Sequence, residues 1–221
     1  LDKLERDDKR VTFIYESVLK LKENLKSLGL NLAMFYSTPK EVFENFKNEG
    51  FDSILCSIDF DDYAKKRDEE IAKIIPMQTF TDSFITHPND CLKADKTPYK
   101  VFTPYYNNLK FIWDSYKLEE FKTNKNLKLI SFDFEVVPTL ENMGFIKQTL
   151  PQFLQKSAYE LLEDFEQKID NYKVDRDFFD KNATSNLAVH LRFGLISPRQ
   201  VFNKIKELKA RTENKEFFIR E

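Results

Sequence analysis

Between positions 11 and 28 apolar residues return every three or four places, at Val11, Ile14, Val18, Leu21 or Leu25, and Leu28, while Lys and Glu take much of the rest. That spacing predicts an amphipathic helix with its apolar stripe inward, stopped by Gly29. The run "NLAMFYS" at 31–37 is short and apolar and predicts a buried strand. "STPKEVFENFKNEG" follows, with a hydroxyl cap, Pro39 near the first helical position and Gly50 at the end: a second helix. "FDSILCSID" predicts a strand over 52–59, "DDYAKKRDEEIAKI" a helix over 61–74, and "IIPMQTF" a strand over 74–80 with Pro76 against its middle. Apolar strands alternating with amphipathic helices imply a parallel sheet covered by helices.

The pattern changes after residue 87. Positions 87–104 read as loop, a helix is expected from about Pro104, and one further strand at 127–134. From 150 onward the spacing is helical throughout. Phe153, Ala158, Leu161, Leu162, Phe165 and Ile169 share one face. Thr184 is placed to cap a short helix that Gly194 closes. Ser197 and Pro198 open another, with Val201, Phe202, Ile205 and Leu208 facing inward. The organisation expected is an α/β domain over 1–86, its end and an interdomain linker over 87–149, and the start of an all-helical domain over 150–221.

Composition narrows the function classes. Four glycines in 221 residues, and no GxGxxG or GxxxxGK[ST], leave no Gly-rich phosphate loop. Thirty-five basic against 37 acidic residues give a net charge of −2, which carries no global signature of a nucleic-acid partner but leaves room for a local patch. Cys56 and Cys91 lack metal spacing, and two histidines, His87 and His190, support neither a His-rich metal site nor a Ser-His-Asp triad. With no long apolar run and no signal-peptide pattern, the expectation is a soluble, cytoplasmic protein without a membrane partner. The chain opens on "LDKLERDDKR" and closes on "KEFFIRE", and both ends read as cut from a longer protein.

Chemistry concentrates in "YKVDRDFFDKNATSNLAVHLRFGLISPRQVF", Tyr172 to Phe202. A Thr-Ser step ahead of a helix can offer hydroxyls beside unpaired backbone N–H groups, a fit for phosphate; it can equally be a cap alone. Asn186 could add a donor. Tyr172 can hydrogen-bond a phosphate or stack on a ring, and Arg176 can hold a phosphate in a bidentate grip or pair with Asp177 on the surface. His190 reads as a buried histidine with one hydrogen bond. For Arg192 and Arg199 a partner within the fold is the simpler reading. "DDYAKKRDEE" reads as a solvated helix face.

Taken together, these residues resemble the DNA photolyase and cryptochrome family. The likeness rests on the strand followed by "DDYAKKRD", on "YKVFTPYYNNLK", on the 172–202 block, which is similar to Tyr-x-x-x-Arg-Asp … Thr-Ser-x-Leu-Ser-x-x-Leu-x-x-Gly-x-Ile-Ser-x-Arg, and on "EFFIRE". It implies a Rossmann-like parallel-sheet α/β domain, incomplete here, and the start of an all-α FAD-binding domain. It implies FAD as cofactor, held by Tyr172, Thr184, Ser185, Asn186, Leu187, Ala188 and Phe218, with Arg176 contacting DNA and Glu221 the catalytic contact to the dimer. Ala188 stands where the family carries a second Ser, and Asn186 where Arg is frequent, which removes one hydroxyl contact. The activity implied is light-driven repair of cyclobutane pyrimidine dimers in DNA by electron transfer from reduced FAD, by a monomer. A blue-light photoreceptor and a flavin-free interaction module are the alternatives. Folate-binding members carry Asn-Glu where Tyr63 and Ala64 stand here, so a folate antenna is not implied and the antenna pigment is unassigned. With other parts of the flavin cavity outside 1–221, the chain alone is expected to bind FAD poorly and not to repair.

Overall fold

The computed structural model describes residues 3–115 and 137–221. The strand expected at 127–134 lies outside the described residues. Two compact units result: residues 3–80 with 137–155, and residues 81–115 with 156–221.

In the first unit, helix α1 (Lys9–Ser27) starts at Asp8, whose carboxylate accepts the Arg10 N–H at 2.9 Å. Only its first turn is buried. Val11 packs with Leu140 and Phe145, and Thr12 Oγ1 accepts the Gln148 N–H at 3.1 Å. The inner stripe expected along the whole helix is therefore corrected: Ile14, Leu21 and Leu28 are exposed, because the 137–148 segment covers only the N-terminal end. Helix α2 (Pro39–Asn48) carries a full capping box between Thr38 and Glu41, with Pro39 in its first turn.

Strand β1 (Ile54–Ser57), helix α3 (Asp62–Ala72) and strand β2 (Met77–Phe80) form a β-α-β unit. The strands are parallel, with Ile54 opposite Met77 and Ser57 opposite Phe80. Pro76 does not interrupt β2 but immediately precedes it. Its carbonyl accepts the Ile54 N–H at 2.9 Å, a role that a residue without an N–H can still play. Ala64 and Ile71 are the buried side chains of α3; Lys65, Lys66, Glu69 and Glu70 are exposed as the sequence implied, whereas Arg67 and Asp68 are partly buried and pair at 2.7 Å. Residues 31–37 form no strand. The apolar run instead packs by side chain: Phe35 meets Phe46 of α2 edge-on at 5.5 Å, and Phe46 meets Phe51 at 5.2 Å. A short apolar run signals burial and leaves the partner open, here a helix and not a ladder.

The second unit contains helix α4 (Phe102–Ser115), which begins two residues before the expected Pro104. Helix α5 (Gln152–Gln155) closes the first unit, and Phe153 on it is exposed and not on the core face. Then come α6 (Ala158–Glu166), a 3-10 turn (Ile169–Asn171), α7 (Tyr172–Asp175), α8 (Ala188–Arg192), α9 (Pro198–Glu207) and α10 (Thr212–Arg220). Capping boxes at Ser157 and Ser197 start α6 and α9. Their apolar faces meet in one core of Leu161, Leu162, Phe165, Ile169, Val201 and Ile205, closed by Leu187 and Ile196. Arg199 has the intramolecular partners the sequence suggested: its guanidinium reaches the Thr81 and Ile85 carbonyls at 3.5 Å and Asp82 at 3.7 Å. Trp113 fastens the same segment, donating to Thr86 Oγ1 at 2.7 Å while its ring meets Phe202 at 5.4 Å.

Candidate functional site

The 3-10 turn after α6 aims Tyr172 into the helical core. Its ring meets Phe165 edge-on at 5.3 Å and Phe218 of α10 at 5.3 Å; Phe165 and Phe218 themselves lie 4.6 Å apart. Phe165 is fully buried and Tyr172 nearly so. Burial pushes the Tyr172 phenol above its ordinary range, with Arg176 acting against it, so the ring stays neutral.

Arg176 follows one helical turn after Tyr172. Its guanidinium carbon lies 5.6 Å from the Tyr172 ring and 5.6 Å from the Phe217 ring, and its Nη1 is 2.8 Å from Glu221 Oε2. The pairing with Asp177 suggested by the sequence is present at 3.6 Å, but the closer partner is Glu221. The hydrogen bond that the guanidinium donates to Glu221 is the main reason it holds its proton more tightly than usual. Thus Tyr172, Arg176, Phe218 and Glu221, drawn from two separate stretches of sequence, form one cluster.

What holds α10 there is Asn214, a residue the sequence reading passed over. It is buried, its Oδ1 accepts the Lys173 N–H at 3.0 Å, and its Nδ2 donates to the Asp170 carbonyl at 2.8 Å. Asp170 Oδ1 also accepts the Arg211 N–H at 2.7 Å, and Lys173 pairs with Glu213. An asparagine among Glu and Lys residues reads as surface; nothing local marks it as the peg of a helix–helix joint.

The 184–188 turn departs from expectation. Thr184 does not cap a helix: α8 starts at Ala188, with Leu187 at the cap position and no side-chain cap bond. The reason lies at Asn186, whose φ of +56° puts it in the left-handed region that asparagine tolerates and a helix cannot contain. The polar side chains of the turn bond locally and weakly. Thr184 Oγ1 donates to Asn186 Oδ1 at 3.4 Å, and Ser185 Oγ accepts the Leu187 N–H at 3.4 Å. Leu187 joins the buried cluster that contains Tyr172, while Thr184 and Ala188 are exposed.

His190 is buried, as expected, with Nε2 3.0 Å from the Lys156 carbonyl, and burial lowers its proton affinity. Among the described residues no group of His, Cys, Asp and Glu could hold a metal, and no helix is long and apolar enough to cross a membrane.

Residues 2–128 match the model of the DNA photolyase family, more than half of the 221 residues, and the chain belongs to that family. It is 26% identical to a deoxyribodipyrimidine photo-lyase of Alkalihalophilus pseudofirmus over 95% of this chain and 46% of the relative. It is 24% identical to the mitochondrial deoxyribodipyrimidine photo-lyase of Saccharomyces cerevisiae over 88% of this chain and 40% of the relative. The fold is similar to that of a bacterial class III photolyase from Agrobacterium tumefaciens, with TM-score 0.80 and 20% identity over 97% of this chain and 48% of that one. It is also similar to an archaeal photolyase from Sulfolobus tokodaii solved with two FAD molecules, with TM-score 0.72 and 22% identity over 96% of this chain and 47% of that one. The chain spans less than half the length of the curated relatives it matches. The α/β class with a parallel sheet agrees with these neighbours.

Proposed function

We propose that this chain forms the α/β part and the first helices of the flavin-binding part of a light-driven DNA repair enzyme. Its substrate is DNA carrying a cyclobutane pyrimidine dimer, and its cofactor is FAD. The carrying observation is the meeting of Arg176, Tyr172, Phe218 and Glu221 in one cluster of a chain that belongs to the DNA photolyase family.

The residues fit FAD by their chemistry. Ser185 Oγ only accepts in its bond with the Leu187 N–H, so its hydroxyl proton can be given to a phosphate oxygen, and the Thr184 proton, held at 3.4 Å by Asn186, would have to be redirected to one. Phe218, partly buried on Phe165 and Tyr172, offers an apolar wall to a ring system. Reduced FAD, when bound, supplies one-electron donation under light, the step no side chain here can perform. The protein's part is to place the substrate. Arg176 offers a DNA phosphate a charge-assisted fork, and Glu221 offers the dimer a hydrogen-bonding carboxyl group. The dimer must leave the base stack to reach them.

Blue-light repair of a thymine dimer in single-stranded DNA, by the full-length protein with reduced FAD, tests this. Dimer loss that needs light supports the reading. FAD binding without dimer loss moves it to a photoreceptor, and absence of both to a flavin-free module.

A further inference from the structure

Helix α10 is gripped on two sides. On one side Asn214 bonds the backbone of Asp170 and Lys173, and Phe217, Phe218 and the following Glu221 meet Tyr172 and Arg176. The other carries Glu216 and Arg220, four residues apart, and meets a row on α4 that is also spaced by four: Phe102, Tyr106 and Lys110. Lys110 Nζ is 3.0 Å from Glu216 Oε1. The Arg220 guanidinium carbon lies 5.5 Å from the Phe102 ring and 5.8 Å from the Tyr106 ring, and those rings stack at 5.9 Å and 18°. A guanidinium over two ring faces is held by their negative quadrupole and by its own flat, weakly hydrated surface.

We infer that Arg220 is a positioning residue for Glu221: its grip on the Phe102–Tyr106 pair fixes the last turn of α10 and so aims the adjacent carboxylate at Arg176. The geometry supports this over a merely adhesive role. Arg220 and Glu221 are consecutive, at the helix end, where the backbone has few bonds of its own; the Glu221 N–H reaches the Phe218 carbonyl only at 3.3 Å. Asn214 anchors the opposite end of α10, so the far end needs its own fixture. The Lys110–Glu216 pair lies one turn back and leaves Glu221 unsupported. Phe102, at the start of α4, belongs to the segment "YKVFTPYYNNLK", and the rings of Phe102 and Tyr106 are its contribution to this site.

In its catalytic consequence the inference rests on the proposed repair reaction, so two readouts are needed. The first is independent of repair. In the full-length protein, NMR of the Arg176 guanidinium should show hindered rotation that Glu221→Gln releases. Arg220→Ala and Phe102→Leu should release it too, while Arg220→Lys, which keeps the cation but not the flat guanidinium face, should restore it only in part. Hindered rotation that persists in Arg220→Ala and Phe102→Leu overturns the inference, whatever the protein does with DNA. The second readout is single-turnover repair. Arg220→Ala should slow it about tenfold with FAD content unchanged, and should add nothing in a Glu221→Gln background. Additive losses overturn the positioning role. Absence of repair by the unsubstituted protein removes the reaction and leaves the first readout standing.

Discussion

The Arg176 guanidinium sits 2.8 Å from the Glu221 carboxylate while covering the Tyr172 ring. One side chain thus joins α7 to the end of α10 and lies beside the buried aromatic core. An arginine so placed is charged at every accessible pH and already desolvated in part, and a DNA phosphate arriving there competes with Glu221 for the same fork.

Replacing Arg176 with Ala should therefore weaken DNA binding, and weaken it similarly for all sequences. The slope of log affinity against log salt should fall by about one phosphate contact. Fluorescence anisotropy over a salt series checks this. An unchanged slope would show that Arg176 touches no phosphate.

Asn214→Ala removes both bonds that fasten α10, leaving the Lys173 N–H and the Asp170 carbonyl without their partner. A loss of about 2 kcal/mol in unfolding free energy is expected, measurable by urea titration. Asn214→Asp should not rescue it: the carboxylate still accepts from Lys173, but its second oxygen faces the Asp170 carbonyl, acceptor against acceptor, in a buried site.

His190 makes stability depend on pH. Its proton affinity is lowered by burial, so the unfolded chain takes up the proton more readily than the folded one. The ring's contribution is complete above the unfolded value of about 6.5. It is lost as pH falls from there towards the folded value. Thermal unfolding from pH 7.5 to 5 should show declining stability, and His190→Gln should flatten that decline. A slope identical in the variant would assign the acid sensitivity to other groups.

Glu41 behaves in the same sense at lower pH. Hydrogen bonds from the Ser37 and Thr38 hydroxyls and the Thr38 N–H hold its carboxyl at about 2. The capping box should accordingly persist below the ordinary glutamate range and come apart only as pH approaches that value. A carbon-detected titration of Glu41 reads it directly, and a midpoint in the ordinary range would mean the box is not closed in solution.

Phe165→Ala should cost about 3–5 kcal/mol, since the ring is fully buried and carries both Tyr172 and Phe218. FAD retention should fall with it under the proposed function, because the wall that Phe218 forms loses its backing. Parallel denaturation and flavin-release measurements check both.

Local pattern was enough to read much of this chain. The Thr38 and Ser197 caps, the β1-α3-β2 order and the inward row Val201, Phe202, Ile205 and Leu208 all follow from neighbours within a turn or two. The resemblance of the 172–202 block likewise depended only on residue order. Tertiary structure decided the rest, because it sets which distant groups meet. Residues 31–37 carry the hydrophobicity of a strand, yet their partner is α2. Thr184 has the chemistry of a cap, yet the left-handed Asn186 delays the helix to Ala188. Arg176 has an acidic neighbour in sequence, yet its closer partner is Glu221, because Asn214 seats α10 against α7. Periodicity and capping act within a few residues and are written in the order of the chain. Partner choice across α7 and α10 depends on the packing of whole helices, which only the folded core specifies.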